Sequence, residues 1–320
     1  MSVRLFNRIV GLVLALLLIC LPFVTHSDFI LSVATVIMVW SIFAVAFDFV
    51  FGSLGMVSFG HASFLGIGGY TVTIVIQQFG WPFEAAALAA MVAAAFCAWI
   101  YSFFALRVSG IFFALVTLSL SQLLYILADS KLRDLTGGAD GIPGVPRPTL
   151  FGIDFLDSVN FYWYVAAVFA LVMIVIAVIR KSPFGRVVQS IQQNEIRSQH
   201  LGYDTHRIKQ IAFLLSGAIS GLAGTLLASS LMYVNPQMLH WTTSGDVIIM
   251  TLLGGAGTLW GPVIGVCIFE ILKEWLSGVT PYWYGILGVV FILSTLYFPK
   301  GVLGGLQAAL ARRSVRGEKS

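Results

Sequence analysis

The chain has 320 residues, is 58% hydrophobic and only 10% charged, and its mean hydropathy is +0.94. Soluble domains are typically about 45–50% apolar and about 25% charged, so these residues cannot cover a water-facing surface. The formal net charge of +4 therefore points to no nucleic-acid partner, and its distribution along the chain says more than its sum.

The expectation is an all-α polytopic membrane protein, one transmembrane domain over residues 1–320. A crossing helix needs about 20 apolar residues. In chain order, apolar runs predict helices over 9–24, 29–50, 62–78, 85–105, 111–128, 161–179 and 208–232. The run 247–275 is interrupted by "LLGGAGTLWGPVIG" and reads as a short helix, a Gly-rich turn and a second helix; the last run is 283–298. That makes about ten membrane helices. The first run, behind Arg4 and Arg8, resembles a signal peptide but lacks a small-x-small cleavage site, so it reads as an uncleaved first helix.

Lys and Arg are retained on the cytoplasmic side of membranes. With the N-terminus inside and alternating helices, the inner segments hold Arg4, Arg8, Arg107, the basic residues from Arg180 to Lys209, and Lys300, Arg312, Arg313, Arg316 and Lys319. The outer segments keep only Lys131, Arg133, Arg147 and Lys273. One outer loop, about 129–160, also carries Asp129, Asp134, Asp140, Asp154 and Asp157. Both termini come out cytoplasmic, with a tail at about 300–320. Cys20, Cys97 and Cys267 sit in apolar runs without pairing or metal spacing and read as small hydrophobes.

Two stretches break the apolar pattern at membrane depth. "FGSLGMVSFGHASFLGIGGYT" brings Gly52, Gly55 and Gly60 together with Ser58, His61 and Ser63; the later break carries Gly254, Gly255, Gly257, Gly261 and Gly265. A third stripe of small residues is Ser216, Ser220 and Gly224. Such glycines serve either close helix packing or interrupted helices that meet at a substrate path. Non-helical backbone is tolerated in lipid only when buried in protein or lining a cavity. Asp48 and His61 are the ionisable groups nearest the first break, and Thr117, Ser119, Ser121 and Gln122 form a polar band on the fifth helix. Intramembrane polar groups are site candidates by default, so Asp48, Ser58, His61, Ser63, Thr117, Ser119 and Gln122 are the candidate pathway residues. Each also has a plain structural reading, as an interfacial residue or a self-bonding hydroxyl.

The cytoplasmic stretch "KSPFGRVVQSIQQNEIRSQHLGYDTHRIKQ", about 181–209, gathers five Lys and Arg between two long apolar runs. Ser182 as N-cap and Pro183 at the first helical position start a helix. A helix over 184–200 carries an apolar stripe at Val187, Val188 and Ile191; Gly202 can end it, and Asp204 or Thr205 can cap the next helix. It is either an ordinary positive-inside loop or a helix that docks into a partner's groove. The outer "LTGGADGIPGVP" is rich in turn residues and reads as a docking lip or a connector. No HExxH, GxSxG or GxxxxGK[ST] occurs, so no catalytic set, metal, cofactor or nucleotide site is expected.

These motifs, with "LRVSGIFFALVTLSLSQL" and "SGAISGLAGTL", resemble the membrane permeases of bacterial ABC importers for branched-chain amino acids, specifically the longer of the paired permeases. The resemblance implies a type II ABC importer permease fold in the inner membrane. It implies a second homologous permease, two ATPase subunits and a periplasmic binding protein as partners. It makes the 181–209 loop the coupling element, carried by Gly185, Arg186, Ile191, Asn194, Glu195, Arg197, Ser198 and Gly202. In this family two alanines usually stand where Arg197 and Ser198 stand here, which leaves Arg197 to pair with an acidic group on the partner. Relatives importing urea, amides or aromatic acids keep the substrate open. A self-sufficient transporter or channel would want more paired intramembrane charges than Asp48, His61, Glu270, Lys273 and Glu274 supply.

Overall fold

Several of the helices end at a glycine. The computed structural model describes residues 3–25, 27–150, 153–297 and 301–305. The helices are α1 (Val3–Val24), α2 (Asp28–Leu54), α3 (His61–Phe79), α4 (Phe83–Ala105) and α5 (Ile111–Ile126). A short α6 (Arg133–Thr136) is followed by α7 (Ser158–Lys181), α8 (Pro183–Gln193), α9 (Glu195–His200), α10 (Thr205–Leu231), α11 (Trp241–Gly254), α12 (Gly261–Val279) and α13 (Trp283–Tyr297). Gly55 (φ 79°) closes α2 and Gly80 (φ 64°) closes α3, both in the left-handed conformation that glycine adopts without a Cβ penalty. Among the described residues, five helices are long and apolar enough to cross a membrane: α2, α4, α5 with its extension to Lys131, α7 and α10.

α2 and α10 form the centre. α10 packs against α2, α3 and α4, while α7 and the α11–α12 hairpin pack on α2. Small residues set the distances. A Cβ at Gly68 would overlap the backbone of Gly221, and one at Gly224 would overlap the Leu65 carbonyl. Gly217 and Gly221 lie against Ala98 and Ala94 of α4. The expected Ser216/Ser220/Gly224 stripe thus sits on the contact face of α10, together with Gly217 and Gly221, which the sequence reading left out.

At one end of the bundle, α8 and α9 lie beside the last turn of α2 and the first turn of α10. At the other lies the long connector after α5. It contains a π turn at Leu127–Lys131, α6 and three short strands, each in a two-stranded antiparallel pair. β1 (Ile142–Pro143) pairs with β4 (Tyr233–Val234), and β2 (Thr149–Leu150) pairs with β3 (Ile153–Asp154). The first pairing fastens the connector to the end of α10. Arg147 lies 4.5 Å over the Phe161 ring and donates to the Leu156 carbonyl.

Three details depart from the sequence reading. The 184–200 helix is two helices, parted at Asn194 (φ −160°, ψ 103°). α11 begins at Trp241, ahead of the apolar run at 247, because the polar TTSGD stretch hid its first turns. The tail does not leave the bundle at 300: residues 301–305 are helical, Leu303 is buried and Gly301 packs on Gly254 and Gly255. The rest of the expected tail, with Lys300 and the arginines at 312, 313 and 316, lies outside the described residues.

Glycine chemistry gives a paired prediction. Gly68→Ala should destabilise the chain by about 1–3 kcal/mol through overpacking. Gly245→Ala, which meets open space within α11, should be neutral or stabilising by about 0.5–1 kcal/mol. Thermal unfolding of the detergent-solubilised chain measures both; equal effects would contradict the packing described.

Candidate functional site

Residues 55–60, between α2 and α3, leave the helical ladder: the Gly55 and Met56 N–H groups bond back to the Phe51 and Val50 carbonyls that close α2, and the backbone beyond them is not helical. His61, the first residue of α3, is buried against Phe47 of α2, two turns inside the end of that helix. The connecting chain therefore turns back into the bundle, and its freed backbone groups need partners. Side-chain hydroxyls supply them. Thr117 Oγ1 accepts from the Phe59 N–H (3.0 Å) and donates to the Ala114 carbonyl (2.9 Å). Ser58 Oγ accepts from the Gly60 N–H (3.2 Å), and Ser244 Oγ of α11 accepts from the Ala62 N–H (2.8 Å).

His61 sits in an aromatic box of Phe47, Phe64 and Phe213. Its Nε2 lies 2.9 Å from Ser216 Oγ, and Ser216 donates its one proton to the Ala46 carbonyl (2.5 Å). Nε2 must therefore carry the proton and donate to Ser216. Ser63 accepts from the Tyr101 hydroxyl (2.7 Å). The first break is thus stitched to α2, α4, α5, α10 and α11.

The second break, 255–260, lies on the other side of α2. Asp48 is completely buried. Its Oδ1 accepts from the Gly257 N–H (2.8 Å), and its Oδ2 pairs with Arg180 at 2.6 Å. Two donors meet this buried carboxylate, as a buried charge requires. Thr258 Oγ1 accepts from the Gly261 N–H (2.9 Å) and donates to the Gly255 carbonyl (3.0 Å). Gly52 must be glycine, since a Cβ there would overlap both Gly257 and the Asp48 carboxylate. On α12, Glu270 pairs with Lys273 one turn away (3.1 Å).

α8 starts as its sequence requires, with Ser182 Oγ accepting from the Gly185 N–H (3.2 Å) and Pro183 at the first position. Asn194 is both the bend and the cap of α9, its Oδ1 accepting from the Arg197 N–H (2.9 Å). Asp204 Oδ1 caps α10 through the Arg207 N–H (3.1 Å). Gly202 (φ +89°) permits the turn between α9 and α10.

The residues expected to couple divide in two. Gly185, Ile191 and Ser198 are buried. Gly185 lies against the Ile179–Arg180 backbone, and Ser198 Oγ bonds Ser190 Oγ (2.9 Å) across the bend. Glu195 pairs with Lys209 at 2.5 Å. These residues hold the shape of the helix pair. Arg186 and Arg197 are exposed, and with them Ile196 (67%), Leu201 (66%) and Tyr203. The sequence reading missed these three apolar residues because they sit off the Val187/Val188/Ile191 stripe. Behind the pair, Met56, Val57, Ser109, Gln193, Glu195 and Lys209 are among the residues around a pocket of about 340 Å³.

The candidate pathway residues divide as well. Asp48, Ser58, His61, Ser63 and Thr117 are fully buried and bonded. Ser119 is exposed on α5 and donates to its own helix at the Leu115 carbonyl (2.9 Å); Gln122 is half-buried there. Arg180 and Ser216, absent from the expected set, prove to be the partners of Asp48 and His61, while Gln192 and Ser244 bond the backbone of Gly52 and Ala62 beside them. No cluster of potential metal ligands occurs among the described residues.

Removing a hydroxyl acceptor should expose the unpaired backbone. Thr117→Val should cost about 1–3 kcal/mol, while Thr117→Ser should cost a few tenths at most. Unfolding midpoints in detergent separate the two; equal midpoints would mean the Phe59 N–H has another partner.

Residues 29–295 match the family model described as branched-chain amino acid transport system / permease component. The high-affinity branched-chain amino acid transport system permease protein LivM of Escherichia coli is 28% identical over 91% of this chain and 73% of its own. The LivH permease protein of the same system and organism is 25% identical over 83% of this chain and 91% of its own. A probable LivM of Methanocaldococcus jannaschii is 26% identical over 60% of this chain and 59% of its own. No solved structure matches. With the apolar helices and the two satisfied breaks in place, this chain belongs to the branched-chain amino acid transport system permease family.

Proposed function

We propose that this chain is one permease subunit of an ATP-driven importer that carries branched-chain or related hydrophobic amino acids across the bacterial inner membrane. α1–α5, α7 and α10–α13 are its ten membrane helices. The Lys/Arg distribution places both termini and the α8–α9 pair in the cytoplasm. The observation that carries the reading is that pair: rigidly capped at both starts, seated on the bundle, yet exposing Ile196, Leu201, Tyr203, Arg186 and Arg197 together. Exposed apolar side chains ringed by arginines on a capped helix suit the groove of a partner. The partner is a separate ATPase, which supplies the hydrolysis.

A second homologous permease completes the assembly, with two ATPases below and a periplasmic binding protein above. α5 exposes Phe112 (65%), Leu115, Ser119 and Leu123. Asp48, Ser58, His61, Ser63 and Thr117 already have partners within this chain, so a pathway lined by Ser119 and Gln122 would be completed by that second permease. Closure of the ATPases would draw the coupling helices together and switch access to the pathway.

Gentle purification of the chain from membranes should bring down an ATPase and a second permease. Ile196→Glu/Arg197→Glu should keep the second permease and lower the ATPase yield about tenfold or more, the loss of one interface hot spot. The assembled complex in vesicles should take up radiolabelled leucine only with ATP. A chain recovered alone, or uptake without ATP, would defeat the importer reading.

A further inference from the structure

The coupling helix and the second Gly-rich break meet at the last two turns of α2. Gln192, near the end of α8, donates to the Gly52 carbonyl of α2 (2.8 Å). Gly52 lies directly against Gly257. One turn earlier, Asp48 holds the Gly257 N–H with one oxygen and Arg180 with the other. Arg180 sits in the last turn of α7, two residues before Ser182, the cap of α8, and Gly185 of α8 packs on its backbone. The start of α8 is thus tied to the Gly257 N–H through Arg180 and Asp48, and its end reaches the same residue through Gln192 and Gly52, by hydrogen bonds that each join residues 132 or more apart in the chain.

We infer that Asp48 and Arg180, with Gln192, are positioning residues that make the Gly-rich break at 255–260 follow the coupling helix. This inference rests on the importer reading above. An apolar pair would fill the same space without the desolvation penalty, and a buried ion pair is weak evidence for stability. What this pair adds is direction. The carboxylate fixes Gly257 to the α7–α8 corner, so a shift of α8 by the ATPase displaces Arg180 and Gly52 together. The ion pair uses one nitrogen of the guanidinium, and the buried Arg180 Nε has no hydrogen-bond partner among the described residues. A second seating of Asp48 on the guanidinium fork is therefore open to the pair without breaking it. The break is the pliable element: Gly255 (φ 118°) and Gly257 (φ 78°) occupy conformations that favour glycine.

The test uses the assembled transporter in vesicles and, separately, the purified chain. In the transporter, Asp48→Asn and Arg180→Gln should leave ATP hydrolysis running and cut leucine taken up per ATP by about tenfold, within the usual range of coupling between sites. Arg180→Lys, which keeps the charge but loses the guanidinium fork, should fall between Arg180→Gln and the unaltered complex. Gln192→Leu should lower the ratio in the same direction, and adding it to Asp48→Asn should change little further. In the purified chain, Gln192→Leu should speed amide hydrogen exchange at 255–260 while leaving 55–60 unchanged. That readout needs no ATPase, so it stands even where the importer reading fails. Unaltered exchange at 255–260 in both Gln192→Leu and Asp48→Asn would overturn the inference. Uptake and hydrolysis falling in parallel would also overturn it, because a purely structural ion pair predicts that result.

Discussion

Unwound backbone inside a bilayer has no water to bond, so each freed N–H and C=O must find a partner in the protein. That requirement organises this molecule. Two Gly-rich non-helical segments among the described residues, 55–60 and 255–260, flank the last turns of α2. At both, side chains do what the helix ladder no longer does, most of them from distant helices and one, Thr258, from the break itself. Thr117 and Ser244 serve the first; Asp48 and Thr258 serve the second. Polar residues in the interior thereby acquire a structural role before any role in transport.

The same accounting explains why the interior of the chain is tight. The breaks lie so close to α2 and to each other's neighbours that glycine is obligatory at Gly52 and Gly254, where a Cβ would overlap backbone. Helices α3, α4 and α10 meet across small residues for a related reason: between helices in lipid there is little hydrophobic drive, and close packing supplies the attraction. A subunit packed in this way has its remaining freedom at its faces. The exposed side of α5 and the α8–α9 pair are such faces, and the proposed partners meet them there.

Much of this was legible in the sequence, and what was not has a physical cause. Apolar runs located the long helices, since a bilayer fixes their length and composition. Glycine clusters marked both breaks, and Ser182-Pro183 marked the start of α8. The partners of the breaks were invisible. Ser244 meets Ala62 across 182 residues and Asp48 meets Gly257 across 209, and local pattern carries no information at that range. Thr117 and His61 were singled out as candidate pathway groups, which their polarity justified; their bonds to backbone and to Ser216 became visible only in three dimensions. The bend at Asn194 was missed because Asn, Glu and Gln are tolerable in helices, while Asn also caps one. Ser198 stays buried and bonds Ser190 across that bend.

The central functional claim is that the exposed face of α8–α9 meets an ATPase. Site-specific photocrosslinking tests it most directly, with a photoreactive residue placed in turn at positions 188, 191, 196 and 201 of the full transporter. Crosslinks to an ATPase subunit from 196 and 201, where Ile196 and Leu201 are exposed, and none from 188 and 191, where Val188 and Ile191 are buried, is the predicted pattern. Adducts only to lipid, or none to a second protein from any of the four, would contradict it.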